Sequence, residues 1–125
     1  MNLLLDTHVF LWWCNKDPLL DKSAIQTIAN PDNTVFFSVV SAWEIAIKQA
    51  LRRLHIPGPV EDAVRKNGFS PLGISFEHAR VAGALPGHHR DPFDRMLIAQ
   101  AKVDQLTIVT RDSSIRPYAV ETHWI

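Results

Sequence analysis

Cysteine is nearly absent, with Cys14 the only one in 125 residues. A lone thiol forms no internal disulfide and no thiolate zinc site, so a reducing, intracellular setting is expected. Excess charge is absent too. Thirteen Lys and Arg balance thirteen Asp and Glu for a formal net charge of +0, which excludes nucleic-acid binding through bulk positive charge and leaves only a local basic patch. The longest unbroken apolar run, residues 9–14, falls far short of the roughly 20 residues that span a bilayer. No basic segment precedes the first apolar stretch, and Asp6 interrupts that stretch early. The expectation is therefore no secretory signal, no membrane association and a cytoplasmic location. Glycine-rich nucleotide-binding loops and the HExxH metal motif do not occur, which excludes those chemistries.

What remains is an ordinary globular composition, 46% hydrophobic and 21% charged, of a length that suits one domain over residues 1–125. Asn2–Leu5 reads as a buried strand closed by Asp6, and residues 9–13 as a helical turn beneath it. Residues 23–29 suggest a helix stopped by Asn30-Pro31. The β-branched and aromatic residues 34–40 predict a second strand, after which Ser41 looks like an N-cap with Glu44 at capping-box spacing. That helix is expected to continue through Leu54. Further helices are expected over 59–67, 76–85 and from Asp91-Pro92 onward, with strands over 72–75, 106–110 and 119–124. The adjacent His88 and His89 fit a polar loop. Strands alternating with helices at this length predict a three-layer α/β/α sandwich on a central parallel sheet.

The acids are placed suggestively along this order. Asp6 follows the first strand, Glu44 lies in the helix after the second, and Asp112 follows the strand ending at Thr110. In a parallel sheet the loops after the strands share one edge, where ligands bind. Asp91 and Asp94 open a helix and can face the same end. Each acid has a plainer reading: Asp91 as N-cap with Asp94 answering it, Glu44 as a capping partner or ion-paired with Lys48, Asp112 as a turn residue. Four acids falling at one rim make coincidence the weaker account. Clustered carboxylates repel one another unless a cation offsets the repulsion, and an all-oxygen set favours Mg²⁺ or Mn²⁺. Such an ion suits phosphodiester hydrolysis. Thr7 and Thr110 stand beside the acids and are candidates to bond a water there, or are simply β-favouring residues.

The segments Leu-Leu-Leu-Asp-Thr-His (3–8), Ser-Ala-Trp-Glu-Ile (41–45), His-His-Arg-Asp-Pro-Phe-Asp-Arg-Met-Leu-Ile-Ala-Gln-Ala (88–101) and Leu-Thr-Ile-Val-Thr-Arg-Asp (106–112) together resemble the PIN-domain family, in particular VapC-type toxins of bacterial toxin–antitoxin pairs. The resemblance implies a Mg²⁺-dependent endoribonuclease neutralised by a cognate antitoxin, and a homodimer that joins a hetero-oligomer with that antitoxin. It assigns Asp6, Glu44, Asp94 and Asp112 to the acidic quartet, with Asp6 and Asp94 as direct metal ligands. Asp91 is an additional acid, either a helix cap or a sharer of the metal. Lys48, Arg52, Arg53, Arg90, Arg95 and Arg111 form a cationic fringe, within which Arg95 and Arg111 are the residues expected to meet RNA. Phe10, Trp12, Trp13, Phe36 and Trp43 supply more aromatic surface than a small core needs, which suits a groove for an amphipathic antitoxin helix. The alternative is a catalytically silent PIN-like module that only binds RNA or protein.

Overall fold

Leu3, Leu4 and Leu5 have no exposed surface, which a strand achieves only with neighbours on both edges and helices over both faces. The computed structural model, which describes residues 1–88 and 90–125, meets that demand by placing β1 (Asn2–Leu5) at the centre of a sheet. The other strands are β2 (Thr34–Ser38), β3 (Ser70–Leu72), β4 (Thr107–Thr110) and β5 (Thr122–Trp124). All pairings are parallel, in the order β3-β2-β1-β4-β5. Leu4 pairs with Phe36 on one side and Ile108 on the other. His89 lies outside the described residues.

Around the sheet run α1 (Thr7–Cys14), α2 (Lys22–Ala29), α3 (Val39–Ala50), α4 (Val60–Lys66), α5 (Phe76–Ala84) and α6 (Pro92–Asp104), with a 3₁₀ turn at Ser113–Ile115. Alternation along each strand divides the core in two. Leu3, Leu5, Val35 and Phe37 join Phe10, Ile28 and Val64 from α1, α2 and α4 on one face. Leu4 and Ile108 join Leu97, Ile98 and Ala101 from α6 on the other. This is the expected three-layer α/β/α architecture.

Several boundaries depart from expectation, each for a local reason. Ser38, not Ser41, caps α3: its hydroxyl accepts from the Val40 amide at 3.1 Å, so the β-branched pair Val39-Val40 is helical despite its strand propensity. Ser41 is instead buried and accepts a hydrogen bond from the Thr7 hydroxyl at 2.9 Å, tying α3 to α1. The same helix stops at Ala50 and not at Leu54. Arg52 adopts a left-handed φ of 57°, while the Arg52 and Arg53 amides donate to the Gln49 and Lys48 carbonyls, a Schellman ending. Arg52 therefore leaves the stripe that Glu44 and Lys48 occupy. β3 comes earlier than the expected 72–75 because Ser75 is taken up as the N-cap of α5, in a reciprocal capping box with His78. α1 and α2 begin at the residues following Asp6 and Asp21, whose carboxylates cap them, and β5 is confined to three residues. Of the five aromatic residues expected to include exposed ones, Phe10 is core, Trp12, Trp13 and Phe36 pack against the core, and Trp43 is 61% exposed.

Candidate active site at the carboxyl ends of β1 and β4

The chain moves from β1 outward to β2 and β3, then returns to place β4 on the opposite side of β1. Connections leave the carboxyl ends of β1 and β4 in opposite directions, which opens a crevice there. Asp6 is the first residue beyond β1, and Thr110 is the last of β4.

Asp6 is 5% exposed. Its Oδ1 accepts from the Val9 amide at 2.8 Å, capping α1, and its Oδ2 accepts from the Thr110 hydroxyl at 2.5 Å. Thr110 Oγ1 in turn accepts from the Asp112 amide at 3.0 Å. One threonine thus fixes the orientation of one acid's side chain and the backbone of the other. Burial pushes the Asp6 carboxyl above the ordinary carboxylate range. The bonds from Thr110 and Val9 and the nearby His8 oppose the rise, and the charge of Asp112 adds to it.

Asp112 is exposed and caps the 3₁₀ turn, accepting from the Ser114 amide and hydroxyl. Glu44 is buried on α3. Its Oε2 pairs with Lys48 at 3.0 Å, and its Oε1 is buried without a hydrogen-bond partner. The Lys48 pairing is the i, i+4 helix pair that the spacing allowed, with the carboxylate side of it buried. Asp94 stands half-buried in the first turn of α6, next to Phe93, whose ring meets Trp43 edge-on at 5.2 Å. That contact brings the α3 residue preceding Glu44 against the α6 residue preceding Asp94. Asp91 is a cap: its carboxylate accepts from the Phe93 and Asp94 amides.

The structure therefore links Asp6 to Asp112 through Thr110 and sets Glu44 and Asp94 on two helices in contact. Among the described residues, no three His, Cys, Asp or Glu side chains converge on one point as they stand. Mg²⁺ needs no such cage, because it keeps several waters and takes one or two carboxylates. The residues fit such an ion on two observations. The Asp6 carboxylate is disfavoured by burial and by Asp112, both of which a cation offsets, and Glu44 carries a buried oxygen with an unused acceptor. Every donor is oxygen, the chemistry of a hard cation.

The two arginines expected to meet RNA part company here. Arg95 is turned to structure: its guanidinium donates to the Ala82, Leu85 and Pro86 carbonyls, each at 2.9 Å, and so closes the end of α5. Three of its five N–H donors are taken up by these carbonyls. Arg111 is exposed, beside Asp112, and rests 5.6 Å from the centre of the Trp12 ring. Trp12 itself escaped the sequence reading as part of this rim. The available signal was its position four residues after His8 on the helix that Asp6 caps.

The sequence from residue 3 to residue 121 matches the PIN domain family model. The chain belongs to the PIN-domain family. It is 29% identical over 119 residues to a protein named ribonuclease VapC22 from Mycobacterium tuberculosis, covering 93% of this chain and 91% of that one. Ribonuclease VapC16 from the same organism is 42% identical over 50 residues, 37% of this chain and 36% of that one. In three dimensions this PIN-domain chain is similar to a chain in a structure of VapBC2 from Rickettsia felis bound to a promoter DNA fragment, with a TM-score of 0.70, 14% identity and 98% of each chain covered. It is also similar to a chain in a FitAcB structure from Neisseria gonorrhoeae, with a TM-score of 0.67, 18% identity, and 96% and 95% covered. The expected PIN-like fold is thus borne out, and no helix among the described residues is long and apolar enough to cross a membrane.

Proposed function

We propose that this PIN-domain chain is a divalent-metal-dependent endoribonuclease that acts as the toxin of a toxin–antitoxin pair. The observation that carries the reading is the Asp6–Thr110–Asp112 arrangement: a buried carboxylate, oriented by a threonine, beside a second carboxylate at the switch point of a parallel sheet. The relatives named as VapC ribonucleases and the toxin–antitoxin structures similar in fold support it. When bound, Mg²⁺ (or Mn²⁺ in its place) polarises a phosphoryl oxygen and acidifies water.

The chain's own residues have distinct tasks. Asp6, with Asp94 and Asp112, would hold the cation, and Thr110 keeps the Asp6 carboxylate from rotating away. Glu44, whose buried oxygen has no partner, would complete the shell from α3 as Asp94 joins from α6, leaving Asp91 as the cap of α6. Arg111 meets the RNA backbone. The whole chain, residues 1–125, serves as the nuclease domain and works in the cytoplasm, a reading supported by its single free cysteine.

Two surfaces support protein partners. Val39, Trp43, Ile47 and Leu51 are all exposed and recur every four residues along and just past α3, an apolar stripe that suits pairing with a second copy in a chain of zero net charge. Between α1, α2 and α4 lies a groove of about 840 Å³, lined by Trp12, Trp13, Leu20, Ile25 and Ile56 among others, which suits an amphipathic antitoxin segment.

The deciding experiment measures cleavage of single-stranded RNA by the purified chain with Mg²⁺ or Mn²⁺, with EDTA, and with Asp6→Asn. Cleavage that requires the metal and is lost in Asp6→Asn is the expected result. RNA binding without any metal-dependent cleavage would instead establish the silent binding module.

A further inference from the structure

Beside the carboxylates runs a row of three side chains that the metal chemistry does not use. His8 is exposed, two residues after Asp6 and one turn of α1 before Trp12, and its ring lies 6.1 Å from the Trp12 ring at an interplanar angle of 33°. Arg111, one residue after Thr110, brings its guanidinium over the same ring, 5.6 Å from its centroid. Trp12 packs one part of its surface on the core cluster beneath α1 and is otherwise half-buried. Arg111 is anchored by donating from Nε to the Ile125 carbonyl at 3.2 Å.

Arg111 thus lies over the indole within cation–π range, while the His8 ring is tilted to it at a greater distance. Together they order the indole, which is half-buried and keeps part of its surface open. The result is a rigid aromatic plane beside two groups suited to phosphate, a few residues along the chain from each of the paired acids. Single-stranded nucleic acid is bound by that combination: a base stacks on the aromatic ring while cations track the backbone.

Resting on the ribonuclease reading above, we propose that Trp12 is the stacking platform for one unpaired nucleobase next to the scissile phosphate, and that His8 and Arg111 hold the phosphates flanking it. These are positioning residues. They set which nucleotide is presented and in what register, so the base preference of cleavage is decided on α1 and not by the carboxylates.

The test measures binding of a 12-nucleotide single-stranded RNA to the full chain in EDTA, by fluorescence anisotropy, alongside cleavage with Mg²⁺. Trp12→Leu is expected to weaken binding on the order of 10-fold, and Trp12→Phe, which keeps a stacking face, by about 3-fold or less. Arg111→Gln and His8→Ala are exposed substitutions that leave the core alone. Arg111→Gln is expected to weaken binding and to reduce the slope of log affinity against log salt by about 0.7. An RNA with one abasic nucleotide, moved along the strand, provides a cycle that a merely structural role would not satisfy. At one position the missing base should cost the native chain about as much as Trp12→Leu does, and cost Trp12→Leu nothing further. Affinity unchanged in Trp12→Leu, or abasic losses that add to it at every position, would overturn the platform while leaving metal-dependent cleavage by the native chain intact. A native chain that neither binds nor cleaves RNA overturns the platform and the ribonuclease reading together.

Discussion

Thr110 donates its hydroxyl hydrogen to the buried carboxylate of Asp6 across 104 positions of sequence, at 2.5 Å. The same hydroxyl oxygen accepts the Asp112 amide. A hydroxyl has one hydrogen: here it goes to the Asp6 carboxylate, and the second acid's backbone is built onto the oxygen.

Thr110→Val removes this hydroxyl at almost constant volume. It leaves the Asp112 amide without its acceptor and Asp6 without its donor, with an expected loss of about 1–3 kcal/mol of stability by denaturant unfolding. Thr110 also lowers the Asp6 pKa, so its loss should push that pKa further up. The acidic limb of the cleavage pH profile should therefore move to higher pH, where native activity is still complete. An unmoved limb would dissociate Thr110 from the state of Asp6.

Burial holds the Asp6 pKa above its ordinary value of 3.8. A carboxyl raised in the folded chain binds protons more readily folded than unfolded, so its ionisation costs stability as pH rises through the folded pKa, and that cost vanishes below the unfolded value. Asp6→Asn removes the cost while keeping an acceptor for the Val9 amide. Its melting temperature should equal or exceed that of the native chain at neutral pH, with the advantage shrinking as the pH is lowered. A variant less stable at neutral pH than at acid pH, relative to the native chain, would contradict the direction.

A divalent ion that binds only the folded chain stabilises it by about 2.7 kcal/mol at a hundred times its dissociation constant. For a chain of this size that corresponds to a rise of roughly 10 °C in Tm. Titration with Mn²⁺ should show such a rise in the native chain, and calorimetry should show none in the Asp6→Asn, Asp112→Asn double variant. Equal shifts in both would place the ion elsewhere.

Arg95 and Arg111 should separate cleanly. Arg95→Ala frees three carbonyls at the end of α5 and should lower stability by about 1–3 kcal/mol, with RNA affinity unchanged once folded protein is counted. Arg111→Ala should leave thermal melting nearly as it was and weaken RNA binding. The paired measurement is a melt and a binding isotherm on each variant.

The strand content was legible wherever β-branched or leucine-rich runs ended at a turn residue. Asn2–Leu5 came out at its observed bounds, and the expected strand at 106–110 differs from β4 by one residue. Capping chemistry was harder to assign, because several residues in a row were capable of it. Ser38 and Ser41 both precede a helical pattern, and only the packing of Val40 against the α6 face and the burial of Ser41 against Thr7 chose between them. Asp91 and Asp94 were ambiguous for the same reason, until the Asp91 carboxylate was found to accept from two amides at the start of α6.

By itself, the sequence determined the layer order, the family and which acids follow which strands, because hydrophobic periodicity and chain order are one-dimensional properties. Only the tertiary structure decided what each polar group is used for. A hydrogen bond is made with whatever the fold brings within about 3 Å. Thus Arg95 went to three helix-terminal carbonyls and Arg111 to the Trp12 rim, and of the four acids it was Asp6 and Asp112 that became neighbours, through a threonine more than a hundred residues from the first of them.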